Sequence, residues 1–166
     1  MSVLAKQVVQ GSLSADTLSF DEMMYAATLT PSLEEKAGIY EAATKKGTNW
    51  TAHNNLGAVY IAQAIENPSN ASAMADKALA QLEIAARINE APEVHANLAS
   101  VHMLKGNAYA AYNHASKALN SGLRGENAAG VNGVKGAAEI VKAQYAAAVS
   151  SESAATDNAD NLFNKG

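Results

Sequence analysis

The 166 residues carry a net charge of −4, 48% hydrophobic side chains and only 5% aromatic ones, with no cysteine. A chain of this length fits one domain or one short array of repeats, and its core must rely on small side chains, above all alanine, the best helix former. The missing cysteine excludes disulfides and thiol chemistry, and the scattered lysines and arginines exclude the basic face that nucleic-acid binding normally needs.

The first third of the chain predicts two helices after an undecided start. Residues 1–13 have weak apolar periodicity and are left unassigned. Apolar residues then recur at helical spacing over about 14–30. Ser32, with Glu35 three residues later, matches a capping box at the start of the second helix, and Gly47 is suited to its end.

Four helices are predicted in the middle of the chain. Each has apolar residues at helical spacing and is bounded by turn residues. They cover about 50–65, 73–88, 92–105 and 109–121. Pro92 suits a first helical turn because its missing N–H has no partner there in any case. The segment 66–72 is a loop by composition.

The last part of the chain predicts two more helices and the beginning of a ninth. They cover about 128–142, 145–155 and 157–165, after a turn at 122–125. Because the connections between predicted helices are mostly short, consecutive helices must pack as antiparallel neighbours. The sequence therefore predicts an all-α fold, a stack of helical hairpins.

Residues 50–121 resemble the tetratricopeptide repeat, a helical hairpin of about 34 residues with the pattern W-x2-L-G-x2-Y, A-x3-F and P. The first copy matches this pattern at His53, Leu56, Gly57, Tyr60, Ala78, Leu82 and Ala85. The second copy matches it at His95, Leu98, Ala99, His102, Ala111, Ala115 and Ala118. A fainter echo comprises Lys135, Gly136 and Glu139. The two copies lie farther apart than one repeat length, which fits an insertion in the loop around Pro68.

The resemblance implies a right-handed, tetratricopeptide-like superhelix, or α-solenoid, of about three to four repeats. The implied repeat domain covers residues 14–155. Within it, 14–47 would be a degenerate first unit and 128–155 a last complete one. Residues 156–166 would begin a further, truncated repeat.

Two stretches, MMYAATLTPSLEEKAGIYEAAT and NNLGAVY, also resemble the tetratricopeptide segments attached to OmpA-like envelope proteins of Bacteroidetes-type bacteria. This resemblance implies a periplasmic, outer-membrane-associated scaffold cut from a larger protein; without it, the expected compartment is the cytoplasm. The first residues lack the sustained apolar core of a signal peptide, and no run is long enough to span a bilayer. We therefore expect no direct membrane insertion.

The tetratricopeptide resemblance also implies a concave groove lined by the first helix of each unit, the default surface for a protein or peptide partner. The groove positions of the family map onto Thr51, Asn54, Ala58, Ile61, Ala62, Glu93, Ala96, Ser100, Met103, Leu104, Gly133, Ala137, Ile140 and Val141. Only Glu93 is charged, and no lysine or arginine is present to clamp a terminal carboxylate. We therefore expect a non-catalytic scaffold that binds an extended or helical apolar segment. The alternative is a structural spacer whose groove is filled by its own chain.

Three histidines are candidates for metal ligands. His95 and His102 share one predicted helix face, and His53 occupies the repeat slot equivalent to His95. These slots are the Trp and Tyr packing positions of the repeat, so we interpret the histidines as structural. A metal site, and with it a metal-dependent enzyme, is the alternative, although a metal favours i, i+4 ligands or ligands converging from neighbouring helices with a carboxylate. With no cysteine nucleophile and no G-x-S-x-G motif, we predict neither an enzyme nor a cofactor.

The carboxyl end of the predicted array has weak packing residues. Glu152 falls in a large apolar slot, and the glycines at 130, 133 and 136 weaken the preceding helix. We therefore predict that residues 150–166 are mobile or are held by a partner. An apolar end left exposed where a capping helix is missing also predicts concentration-dependent self-association.

Overall fold

A computed structural model describes residues 3–163, including all side chains except those of residues 4, 5, 9, 155 and 157–163. This part of the chain consists of eight α-helices and two short 3-10 turns, without strands. The helices are α1 (Val3–Val9), α2 (Phe20–Leu29), α3 (Leu33–Thr44), α4 (Trp50–Glu66), α5 (Ala71–Ile88), α6 (Pro92–Leu104), α7 (Ala108–Asn120) and α8 (Gly125–Phe163). The all-α prediction is confirmed, and the undecided start contains α1.

Helix α2 begins later than the sequence pattern predicts. Ser19 forms a complete capping box, in which its hydroxyl accepts from the Glu22 N–H at 3.4 Å and its own N–H donates to Glu22 Oε2 at 3.0 Å. Before this cap, Ala15–Thr17 form only a 3-10 turn. The apolar periodicity over 14–30 therefore overstates the length of the helix.

Helix α3 begins and ends at the residues that the sequence predicts, Ser32 at its start and Gly47 just beyond its end. The Ser32 hydroxyl accepts from the Glu35 N–H at 3.3 Å, as expected of an N-cap. Beyond the last turn, Gly47 adopts φ 132°, a conformation that favours glycine because a Cβ would be strained there.

Each helix packs against the next one along the chain, and α6 also contacts both α4 and α8. The largest apolar cluster extends from α2 to α6, and two smaller clusters join α6, α7 and α8. Helices α4, α6 and α8 therefore lie side by side.

Contacts between the helices depend on small side chains. The fully buried alanines are Ala26, Ala27, Ala43, Ala52, Ala78, Ala85, Ala99, Ala111, Ala115, Ala118 and Ala138. The tightest approach is at Gly57 in α4, where a Cβ would lie 2.6 Å from Leu82 Cγ in α5. The predicted dependence of the core on small residues is confirmed.

The carboxyl-terminal helix differs most from the prediction. Residues 125–163 form one continuous helix, so the predicted breaks after 142 and 155 are wrong, and no further hairpin forms within the described chain. The residues at these positions include no proline or glycine that would end a helix, and alanines dominate 143–148. The ninth predicted helix and the truncated repeat extend into residues 164–166, which lie outside the described residues.

Only the first half of α8 packs on the rest of the protein. Val131 and Ala138 are buried against α6 and α7, whereas the side chains of residues 143–154 are exposed, including Tyr145 at 53% and Val149 at 66%. Glu152 is also exposed, so its carboxylate stays solvated and does not destabilise the fold by being buried. Within the described chain, no helix is both long and apolar enough to cross a bilayer.

We expect the backbone amides of residues 146–163 to exchange with solvent much faster than those of 131–142. Most helical stability in proteins comes from tertiary packing, and the side chains of residues 143–154 are exposed, so this half should open locally without unfolding the domain. Amide hydrogen exchange on a verified monomer measures the difference. Equal protection along the whole of α8 would contradict this prediction and the predicted mobility of residues 150–166.

Candidate functional site

Helices α4, α6 and α8 enclose a surface groove with a volume of about 530 Å³. We refer to it as the groove, and it is lined by Asn54, Asn55, Ala58, Glu93, Ala96, Asn97, Ser100, Leu123, Glu126, Asn127, Gly130, Val131 and Val134. The lining combines small apolar side chains with four asparagines and two glutamates. It includes no lysine, arginine or histidine.

Five of the fourteen sequence-predicted groove residues line the groove, all of them on α4 and α6. They are Asn54, Ala58, Glu93, Ala96 and Ser100. The structure therefore brings these five predicted residues of α4 and α6 together at one surface. The other predicted residues of these two helices lie elsewhere: Thr51 near the Asn49 cap, Ile61 in the main core, Ala62 half-buried, Met103 against α7 and α8, and Leu104 exposed.

The four predicted residues of α8 do not line the groove. Gly133, Ala137 and Ile140 are exposed, and Val141 packs on a small apolar cluster with α7. On α8 the groove is lined instead by residues 126, 127, 130, 131 and 134. At about 100° per residue, these two sets lie on faces roughly a quarter turn apart, so the repeat register carried over from α6 does not fit α8.

A chain of amide groups crosses the floor of the groove. Asn97 Nδ2 donates to Asn54 Oδ1 at 2.9 Å, which links α6 to α4, and Asn54 Nδ2 donates to Asn55 Oδ1 at 3.3 Å. Asn55 Nδ2 in turn lies 3.5 Å from the Tyr40 hydroxyl of α3. Asn54 is only 7% exposed, so these bonds satisfy a polar group that would otherwise be costly to bury.

Sequence reasoning missed Asn55, Asn97 and Asn127 as groove residues. A signal was present for two of them, because Asn55 and Asn97 each precede the repeated leucine at Leu56 and Leu98. No comparable repetition marks Asn127.

The groove carries negative charge at two helix starts. Glu93 lies in the first turn of α6 and Glu126 in the first turn of α8, and both side chains are exposed. Neither carboxylate forms a salt bridge within the described part of the chain. The nearby Arg124 is exposed and lies outside the groove lining.

A second polar cluster, away from the groove, connects α6 with α7. His95 Nδ1 lies 3.0 Å from His114 Nδ1, and the ring of His102 stacks parallel to that of His114 with centroids 5.4 Å apart. We call these three residues the histidine stack. Sequence reasoning placed His95 and His102 on one face but missed His114, which comes from the neighbouring helix.

Burial sets the protonation of the histidine stack. It lowers the pKa values of His95 and His102, and it lowers the pKa of His114 to about 4 with help from the positive charges that His95 and His102 would carry. The rings are therefore neutral at pH 7. Among the described residues, no group of three or more His, Asp and Glu side chains is arranged to hold a metal ion.

His53 does not join this stack. Its Nδ1 lies 2.8 Å from Gln81 Oε1, so it links α4 with α5 through a single hydrogen bond.

A larger cavity of about 820 Å³ lies between α3, α4 and α5. At its wall the Tyr60 hydroxyl donates to Glu41 Oε1, and Lys77 Nζ lies 5.5 Å from the centre of the Tyr60 ring. Burial raises the pKa of Tyr60, and the Glu41 carboxylate raises it further. The phenol therefore stays protonated and acts as a hydrogen-bond donor that joins α3 to α4.

No family model, no curated protein and no solved structure matches this chain.

Proposed function

We propose that this chain is a non-catalytic protein–protein interaction module of tetratricopeptide-like architecture, and that a segment of another protein binds in the groove. The observation that carries the proposal is that α4, α6 and α8 each present one face to the same concave surface. In stacked helical hairpins, alternate helices line one surface in this way, and that surface is the usual binding face.

The contacts between alternate helices support the solenoid-like part of the proposal. Helix α6 contacts α4 on one side and α8 on the other, while α5 and α7 connect them along the chain. Each hairpin thereby buries its apolar face against its neighbour. The close approach at Gly57 and the buried Ala78 and Leu82 occupy the packing positions of the repeat pattern.

The chemistry of the groove supports a peptide ligand. Ala58, Ala96 and Val131 provide apolar contact area, and the amides of Asn55 and Asn97 provide both donors and acceptors. Polypeptide main chain offers the complementary set of groups.

The polar groups of the groove support binding rather than catalysis. The only hydroxyl in the lining, that of Ser100, donates to the Ala96 carbonyl at 3.2 Å. No histidine or lysine of the lining lies beside it to act as a base.

Filling the groove should weaken binding without unfolding the protein. A Cβ on Gly130 or on Gly133 would meet no atom within 4 Å, and both glycines are exposed on α8, but only Gly130 lines the groove. We expect Gly130→Phe to weaken the binding of peptides selected from a phage-displayed random library on the unmodified protein by at least about tenfold. Gly133→Phe is the matched control and should leave their affinity unchanged.

The readout is the dissociation constant of each selected peptide, with thermal unfolding recorded for both variants. Equal effects of Gly130→Phe and Gly133→Phe would argue against the groove as the binding surface. Failure to select any peptide would favour the spacer alternative, in which the chain itself covers the groove.

A further inference from the structure

The charge of the groove is one-sided, and this feature identifies the class of partner. Of the residues that line it, Glu93 and Glu126 are charged and none is basic. A helix amino terminus contributes roughly half a positive charge. The first turns of α6 and α8 together therefore offset only about one of the two carboxylate charges, and this end of the groove remains negative.

The two glutamates lie at the same end of the groove. Helices α6 and α8 are separated along the chain by the single helix α7, so their amino-terminal ends point the same way, and each glutamate lies in a first turn. The first turn of α4 contains no acidic residue. The negative charge is thus confined to the part of the groove between α6 and α8.

The amide groups distinguish an extended ligand from a helical one. The main-chain N–H and C=O groups of a helix are bonded to each other, whereas those of an extended segment are free to pair with side chains. The groove presents amides on all three helices, at Asn55, Asn97 and Asn127. Asn127 forms no side-chain hydrogen bond within the described residues, so its donor and acceptor are both available to a ligand.

We infer that the groove binds an extended segment of a partner protein that carries lysine or arginine, with the basic side chain at the Glu93 and Glu126 end and the main chain against the asparagine amides. This inference rests on the proposed function and specifies its ligand. It replaces the apolar segment expected from the predicted groove positions, because Glu126 and three of the four lining asparagines were not among them. A helical segment, an acidic segment and a second copy of this chain are the competing occupants.

The test uses the full chain and peptides selected from a phage-displayed random library. We expect the selected peptides to be enriched in lysine and arginine over aspartate and glutamate. Their affinity should fall at least about tenfold in the double variant Glu93→Gln, Glu126→Gln, and should fall as the salt concentration rises, because exposed charges are screened. Glu139→Gln is the matched control: Glu139 is exposed on α8 but does not line the groove, so this change should have no effect.

Circular dichroism of the complex tests the conformation of the ligand. An extended peptide adds no helical signal on binding, whereas a helical one does, and a gain in helicity would overturn the extended part of the inference.

The outcomes separate this inference from the proposed function. Selected peptides that are apolar or acidic, and that bind the Glu93→Gln, Glu126→Gln protein normally but not Gly130→Phe, would overturn the basic ligand and leave the groove as the binding surface. Peptides that are insensitive to Gly130→Phe would overturn both. Self-association of the chain that is blocked by Gly130→Phe would assign the groove to a second copy instead.

Discussion

Gly57→Ala is expected to destabilise the protein by about 2 kcal/mol, although alanine is the better helix former. A Cβ at this position would lie 2.6 Å from Leu82 Cγ and 2.8 Å from Leu82 Cδ2, and 3.3 Å from the Ala78 carbonyl oxygen. Leu82 is fully buried and cannot move aside freely. Overpacking of this kind costs up to about 3 kcal/mol, and the helix propensity of alanine recovers about 1 kcal/mol. At roughly 2–4 °C per kcal/mol for a chain of this size, the melting temperature should fall by about 4–8 °C.

Gly38→Ala is the matched control for this prediction. Gly38 also lies inside a helix, α3, but a Cβ there would meet no atom within 4 Å. Only the higher helix propensity of alanine then acts, so this variant should be more stable than the unmodified protein by about 0.5–1 kcal/mol. Urea unfolding of both variants measures the difference. If the two substitutions changed stability in the same direction, the close packing of α4 on α5 would not be what constrains Gly57.

Acidification is expected to destabilise the protein between about pH 6.5 and pH 4 through the histidine stack. Burial lowers the pKa of His114 from 6.5 to about 4 in the folded protein, so the unfolded chain takes up a proton at a higher pH than the folded one. The stabilising effect of neutral His114 is therefore complete above pH 6.5 and is lost as the pH falls through this window. At about 1.4 kcal/mol per pH unit the loss is at most about 3.5 kcal/mol, and on the order of 2 kcal/mol once screening by solvent is included.

The geometry of the stack explains why protonation is unfavourable. His95 Nδ1 and His114 Nδ1 are 3.0 Å apart, so one must accept while the other donates, and both cannot carry a proton on these atoms. The charged groups that also act on these three rings are Glu83, Glu90, Lys105 and Lys117. Lys117 opposes protonation of His95 and His114, whereas Glu90 favours it to a smaller extent.

Urea unfolding of the unmodified protein and of His114→Gln at several pH values between 7.5 and 4 tests this prediction. The variant removes the histidine whose pKa burial lowers to about 4, so its stability should depend much less on pH in this range. Glutamine is uncharged throughout this pH range, which keeps the comparison simple. An unchanged pH dependence in the variant would assign the acid sensitivity to other groups.

Local signals account for most of the helices that were predicted correctly. The helices expected at 50–65, 73–88, 92–105 and 109–121 correspond to α4, α5, α6 and α7 within one or two residues at each end. The ends of these helices are set by local capping interactions. At the start of α7, for example, the N-cap Asn107 accepts a hydrogen bond through Oδ1 from the Ala110 N–H at 3.1 Å. The tetratricopeptide architecture and the envelope location that the resemblances imply stay predictions, as does self-association.

Helix α8 was divided wrongly at positions where no residue ends a helix, and the repeat pattern was expected to continue over residues 128–155. The same expectation carried the groove register from α6 onto α8 and selected Gly133 and Ala137 in place of Gly130 and Val134. Register on a helix depends on where the helix starts and on which neighbours it packs against. For α8 the start is Gly125 and the neighbours are α6 and α7.

The sequence by itself determined the all-α class, most helix limits and the dependence of the core on alanine and glycine, because capping, propensity and apolar spacing act over a few residues. Tertiary structure alone decided which side chains meet across helices. The Asn97–Asn54 hydrogen bond and the contact between His95 and His114 each join residues from different helices, and Glu93 and Glu126, from two different helices, line the same groove. Such contacts follow from how the helices rotate and approach one another, which depends on the packing of the whole core rather than on any short stretch of chain.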